Sequence, residues 1–169
     1  MADTKQDAIA LLKADHRKVE ELFEQFESTK SSAKKQKIAM QICMELTVHT
    51  RIEEEIFYPA CQGKIEDDLL KEAYVEHDGA KVLIADIETG SPDDEYYNAK
   101  VKVLSEQIKH HVGEEEQRME GMFSQARKAG LDMDALGEQL RARKTDLIAT
   151  YKASGLPKPE LTTLMQVAA

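Results

Sequence analysis

Apolar residues recur along the chain at intervals of three and four, the spacing that lines up one face of an α-helix. Over residues 3–27 the line is Ile9, Leu12, Val19, Phe23 and Phe26, with His16 in phase. Thr4, followed by Asp7, can cap its start, and the polar run 28–32 interrupts it. A second line over residues 33–61 holds Ile38, Ile42, Leu46, His49, Glu53 and Phe57. Pro59 should bend or end that helix, and Gly63 closes the break. A third, over residues 67–88, holds Leu70, Tyr74, His77, Ile84 and Ile87, with Gly90 behind it.

The string Ser91-Pro92-Asp93-Asp94 offers a capping serine, proline at the first helical position and acids in the first turn. It predicts a fourth helix running to about residue 128, with Val101, Leu104, Ile108, His111, Glu115, Met119 and Met122 inward. Gly113 and Gly121 lie inside that span, where they weaken a helix. A shorter fifth helix is predicted over residues 134–151 on Leu136, Leu140, Leu147 and Tyr151. Four long helices with short connections predict an all-α, up-down-up-down four-helix bundle with a short fifth C-terminal helix. The bundle takes residues 1–155, and residues 156–169, with Pro157 and Pro159, form a tail.

Composition agrees with this. The 169 residues suit one domain, and 41% hydrophobic with 33% charged residues suits a charge-coated globule. The net charge of −9 disfavours nucleic acid and anionic membrane surfaces, which both call for basic patches. No apolar run reaches membrane-spanning length and the N-terminus has no signal-peptide core, so the expectation is a cytoplasmic protein. Cys43 and Cys61 fall on one predicted helix, roughly 27 Å apart at helical rise, and should stay unpaired and reduced.

The histidines change the picture. His16, His49, His77 and His111 fall on four different predicted helices, each in phase with the apolar line. Two carry a glutamate four residues on, in HTRIE (His49, Glu53) and HVGEE (His111, Glu115), so each pair aims an imidazole and a carboxylate at the same place. Burying two carboxylates among four imidazoles is costly without a compensating partner. A metal centre supplies one, because it takes neutral imidazole nitrogen and carboxylate oxygen together. His110 with Glu114 is an alternative to His111 with Glu115, although phase favours the latter. Glu20, Glu54 and Glu116 read as solvated acids, with contact to the metal as the alternative, and Tyr74 is either a packed core residue or a hydrogen-bond donor to the site. Met40, Met44, Met119 and Met122 read as core filler.

The strings DHRKVEELF, HTRIEEEIFYP, EHD and HHVGEEEQRM resemble the hemerythrin HHE cation-binding domain over about residues 7–128. That resemblance implies two bridged, non-haem iron ions, with His16, His49, His77 and His111 as terminal ligands and Glu53 and Glu115 as bridges. Manganese or zinc would suit the same donors. Oxygen-carrying members have a second histidine where this chain has Lys81, and His-x-x-x-x-Asp where it has His-x-x-x-Glu. Those differences point away from reversible oxygen carriage and toward redox or stress chemistry on O₂, peroxide or NO. An iron- or oxygen-sensing module without turnover is the alternative. Ferritin-like iron oxidation ranks last, since such sites use Glu-x-x-His. Four terminal histidines and two bridging glutamates fill eight of roughly twelve coordination positions on two six-coordinate irons, and one bridging oxygen fills two more, which leaves about two open. Without metal, the two buried glutamates should raise the pKa of at least one of them.

Overall fold

The computed structural model describes residues 6–165. Helix α1 spans Ala8–Ser28 and α2 spans Ser32–Ile52. A π-helical turn, Glu53–Phe57, joins α2 to the short α3, Tyr58–Cys61. Helices α4 (Asp67–Thr89), α5 (Tyr97–Glu116), α6 (Met122–Lys128) and α7 (Met133–Ser154) follow. Helix α1 packs on α2, α2 on α4, α4 on α5 and α5 back on α1, which closes a four-helix ring; α7 lies against α1 and α2. Among the described residues no helix is long and apolar enough to cross a membrane.

The cap of α1 is Asp7, whose carboxylate accepts the Ala10 N–H at 2.8 Å; Thr4 lies outside the described residues. The second predicted helix is one continuous rod with a defect. Proline cannot donate an N–H and its ring crowds the preceding turn, and just before Pro59 the ladder widens, with the Tyr58 N–H reaching back to the Glu53 carbonyl.

The fourth predicted helix is corrected at both ends. Residues 91–96 form a turn, because the Asp94 carboxylate takes the Ser91 N–H at 2.7 Å and so competes with helical bonding. The helix starts only at Tyr97. It stops at Glu116, where the chain turns extended at Gln117 and folds back, with the Gly121 N–H on the Gln117 carbonyl at 3.1 Å. A Cβ at Gly121 would lie 2.4 Å from the Gln117 carbonyl oxygen, so the turn admits only glycine. The break leaves Met119 exposed, contrary to its predicted core role, and brings Met122 and Phe123 inside.

The core falls into two clusters with a polar layer between them. One contains Leu12, Ile52, Phe57, Tyr58, Met122, Phe123 and Leu140. The other contains Val19, Phe26, Ile42, Leu46, Tyr97 and Leu104. Helix α7 comes close to the start of α1 at Gly137, where a Cβ would sit 2.8 Å from the Gln6 carbonyl.

Candidate metal centre

The polar layer consists of His16, His49, Glu53, His77, His111 and Glu115, all buried, with the two glutamates 0% and 1% exposed. The structure thus brings together all six predicted residues. The imidazoles form two pairs through their Nε2 atoms: His16 with His49 at 3.1 Å, and His77 with His111 at 3.1 Å. Each glutamate divides its oxygens between the pairs. Glu53 places Oε1 3.2 Å from His49 and Oε2 3.3 Å from His77. Glu115 places Oε2 3.3 Å from His16 and Oε1 3.4 Å from His111.

Tyr58 joins the second pair. Its hydroxyl lies 2.8 Å from Glu115 Oε1, 3.3 Å from Glu53 Oε2, 3.1 Å from His77 Nε2 and 3.3 Å from His111 Nε2. Regular helical phase would turn residue 58 well away from residue 53, five positions earlier. The wider π-turn between them restores the alignment. The apolar line of the sequence therefore missed Tyr58, and the available signal was Pro59 directly behind it. Tyr74 makes ring contact with Tyr58, centroids 5.3 Å apart, and so packs behind the layer.

Every imidazole also has its outer nitrogen held by a carboxylate. His16 Nδ1 meets Glu116 at 2.7 Å, His49 Nδ1 meets Asp15 at 3.3 Å, His77 Nδ1 meets Glu54 at 3.1 Å and His111 Nδ1 meets Glu76 at 2.5 Å. These bonds fix each ring with Nε2 inward, the arrangement that orients histidine ligands around metals. Glu54 and Glu116 thus touch ligand candidates from outside. Glu20 pairs with Arg17 at the surface, and exposed His110 faces Glu114 and Glu76. Asp15 and Glu76 were not anticipated. Beyond the carboxylates, Arg17 meets Glu116 at 2.8 Å, Lys81 meets Glu54 at 2.9 Å and Lys144 meets Asp15.

The electrostatics favour a cation in the layer. Burial alone would push Glu53 up, as would Glu115, yet His49 and His77 outweigh both and bring it down to about 2. Burial likewise opposes ionisation of Glu115, and His111 and His16 hold it well below the usual range. Contrary to expectation, neither glutamate is raised, because the imidazoles take up the protons instead. Burial opposes the charged form of His49, but Glu53 and Asp15 raise it to about 10; His111 and His16 are raised for the same reason. Tyr58 is kept protonated by burial and by Glu115 and Glu53. Six carboxylates in two shells around neutral imidazoles exceed the three outer lysines and arginines, so protons or metal ions must make up the difference.

The donors fit metal ions. Donors about 2.0–2.2 Å from one ion lie roughly 3.0–3.5 Å apart at octahedral or tetrahedral angles, and the His–His and His–Glu separations in the layer fall in that range. The ligand atoms of His16, His49, Glu53 and Glu115 all lie within 4.8 Å of one another, as do those of Glu53, His77 and His111. Glu53 Oε1 and Glu115 Oε2, which face the first histidine pair, are buried acceptors that no well-directed hydrogen bond reaches, although His49 and His16 lie within ion-pair distance. Such atoms are costly unless something positive meets them. The thiols do not compete: Cys43 and Cys61 are buried and unpaired, and burial lifts both to about 12.

A small void adjoins the four imidazoles, lined also by Val19, Leu46, Ile108 and Val112 and by the polar Asp15 and Thr50. A groove of about 390 Å³ between α1 and α5 also has His16, Ile108 and Val112 in its lining.

Three comparisons place this arrangement among known proteins. A crystal structure of a hemerythrin HHE cation binding domain-containing protein from Mycobacterium kansasii superposes with a TM-score of 0.74 at 19% identity, over 89% of this chain and 95% of that one. A protein from Nostoc sp. named DNA nickase is 30% identical over 106 residues, or 63% of this chain and 30% of the relative. Residues 7–123 match the family described as Hemerythrin HHE cation binding domain. The chain accordingly belongs to the hemerythrin HHE cation-binding family, whose resemblance its histidines and glutamates already carried.

Proposed function

We propose that the polar layer holds two iron ions bridged by Glu53 and Glu115, with His16 and His49 on one ion and His77 and His111 on the other. The observation that carries this reading is the splitting of each carboxylate between the two imidazole pairs. Tyr58 adds an oxygen donor to the His77–His111 side, so the six-residue ligand set becomes seven and the two ions differ. Iron is the metal that the family resemblance implies, although the donors also suit manganese and zinc.

When bound, the iron pair supplies electron-transfer chemistry toward O₂, peroxide or NO. The chain supplies the rest. Among the described residues the His16–His49 side has no equivalent of Tyr58, and His16 lines the groove, so this side would be the more accessible to a small ligand. Val19, Leu46, Ile108 and Val112 line the void with apolar side chains, which suits an uncharged diatomic guest. Nucleic acid is not a partner in this reading. The net charge is −9, and the nickase name belongs to a relative of which the match spans 30%.

The test is reconstitution with ferrous iron under anaerobic conditions, followed by azide, peroxide and O₂. Azide should change the visible spectrum, and peroxide should be consumed over many cycles. A stable oxygen adduct that releases intact O₂ on degassing would contradict the proposed reactivity. Azide binding without peroxide turnover would favour the sensing alternative.

A further inference from the structure

Residues 156–164 lie beyond the family match, which ends at residue 123, yet they are wired to one of the four histidines. Asp78, next to His77 on α4, is 0% exposed and is covered by this segment. Its carboxylate accepts the backbone N–H groups of Thr162 at 2.9 Å, Thr163 at 2.5 Å and Leu164 at 2.9 Å, and the Thr163 hydroxyl at 2.8 Å. The remaining donor is Lys81, at 3.2 Å. An ammonium has three N–H donors, and Lys81 spends the other two on Glu54 at 3.0 Å and on the Glu160 carbonyl at 3.0 Å. Arg51 holds the Glu160 carboxylate at 3.0 Å from the other side. Glu54 in turn accepts His77 Nδ1–H.

We infer that the C-terminal segment is a working part of the metal centre, and that Lys81 is a positioning residue for the ion held by His77. The strap satisfies Asp78, which leaves the Lys81 ammonium free to hold Glu54. Glu54 fixes the ring orientation of His77 and the proton on its outer nitrogen. Without the strap, Asp78 is uncovered and keeps Lys81 as its one donor among these contacts, and Lys81 loses the Glu160 carbonyl that helps to fix it beside Glu54, so the hold on His77 loosens. Loss of such an outer partner typically weakens metal binding by 10- to 100-fold. The effect falls on one ion, because His16, His49 and His111 lean on Glu116, Asp15 and Glu76, whose ion pairs among the described residues are with Arg17, Lys144 and His110.

This inference rests on the two-metal reading, and the experiment separates the two. Full-length wild type, Lys81→Met, Thr163→Pro and Thr163→Ser are titrated with Co²⁺ and followed by visible absorption. Proton NMR of the paramagnetically shifted imidazole N–H signals is recorded in parallel. Wild type and Thr163→Ser, which keeps both donors, should bind two Co²⁺ and protect all four N–H signals. Lys81→Met and Thr163→Pro should each weaken one of the two binding steps by about tenfold, leave the other unchanged, and speed solvent exchange of one N–H signal. If both variants bind like wild type, or lose both steps in parallel, the strap has no positioning role. If wild type itself binds no pair of Co²⁺ ions, the two-metal reading fails first.

Discussion

Glu53 and Glu115 face two imidazole pairs each, and in the metal-free protein protons stand where metal charge would otherwise be. This sets a pH dependence. His49 is raised from 6.5 to about 10, so its contribution to stability is fully present below pH 6.5 and is lost as pH rises through 10. Glu53 is lowered from 4.5 to about 2, so its contribution is present above pH 4.5 and is lost as pH falls through 2. Metal-free protein should therefore be most resistant to urea between about pH 4.5 and 6.5. A denaturation midpoint at pH 9 that equals or exceeds that at pH 6 would contradict this. Tyr58 gives a second prediction at this scale. Ferric protein should show a visible phenolate-to-iron absorption band, and Tyr58→Phe should lose that band while keeping both irons. The band surviving in Tyr58→Phe would remove Tyr58 from the ligand set. His16, His49, His77, His111 and the two glutamates were legible because each sits in phase with an apolar line. Asp15 and Glu76 were not, since their roles depend on which neighbouring helix their side chains reach.

Helices α1, α2 and α4 follow the apolar lines of the sequence to within a few residues at most ends. The departures come from backbone features that side-chain periodicity does not encode. A proline produced a π-turn rather than a simple kink, and that turn moved Tyr58 into the layer. A local carboxylate bond at Asp94 delayed α5, and a glycine-specific turn at Gly121 ended the fourth helix early and started α6. The turn lets two neighbours reach the same ring: Glu116 bonds His16, and Phe123 stacks on it at 5.9 Å. The two glycines of this region should then respond oppositely to alanine. At Gly121 a Cβ meets backbone that cannot yield, so Gly121→Ala should cost about 2 kcal/mol or more and lower Tm by roughly 4–8 °C. At Gly113, inside α5, a Cβ meets nothing within 4 Å. Gly113→Ala should raise stability by about 0.5–1 kcal/mol. Thermal melts of both variants check the pair, and an unchanged Gly121→Ala would refute the backbone clash.

At the scale of the molecule, a charged layer lies between two apolar clusters, with α7 and the C-terminal strap packed outside the ring. The fold class was legible because helical periodicity persists over long stretches. The docking of the tail was not, because a short segment with two prolines carries no repeating pattern. Metal should couple the layer to the stability of the whole. An ion pair that binds only the folded state, at about a thousand times its dissociation constant, adds roughly 4 kcal/mol. For a chain of this size that raises Tm by about 8–16 °C. A two-iron layer is tested most directly by metal analysis of protein reconstituted with ferrous iron under anaerobic conditions and freed of excess by gel filtration. Two irons per chain are expected, lost on His49→Ala or Glu53→Ala together with the gain in Tm. One iron or none per wild-type chain would contradict a two-iron layer.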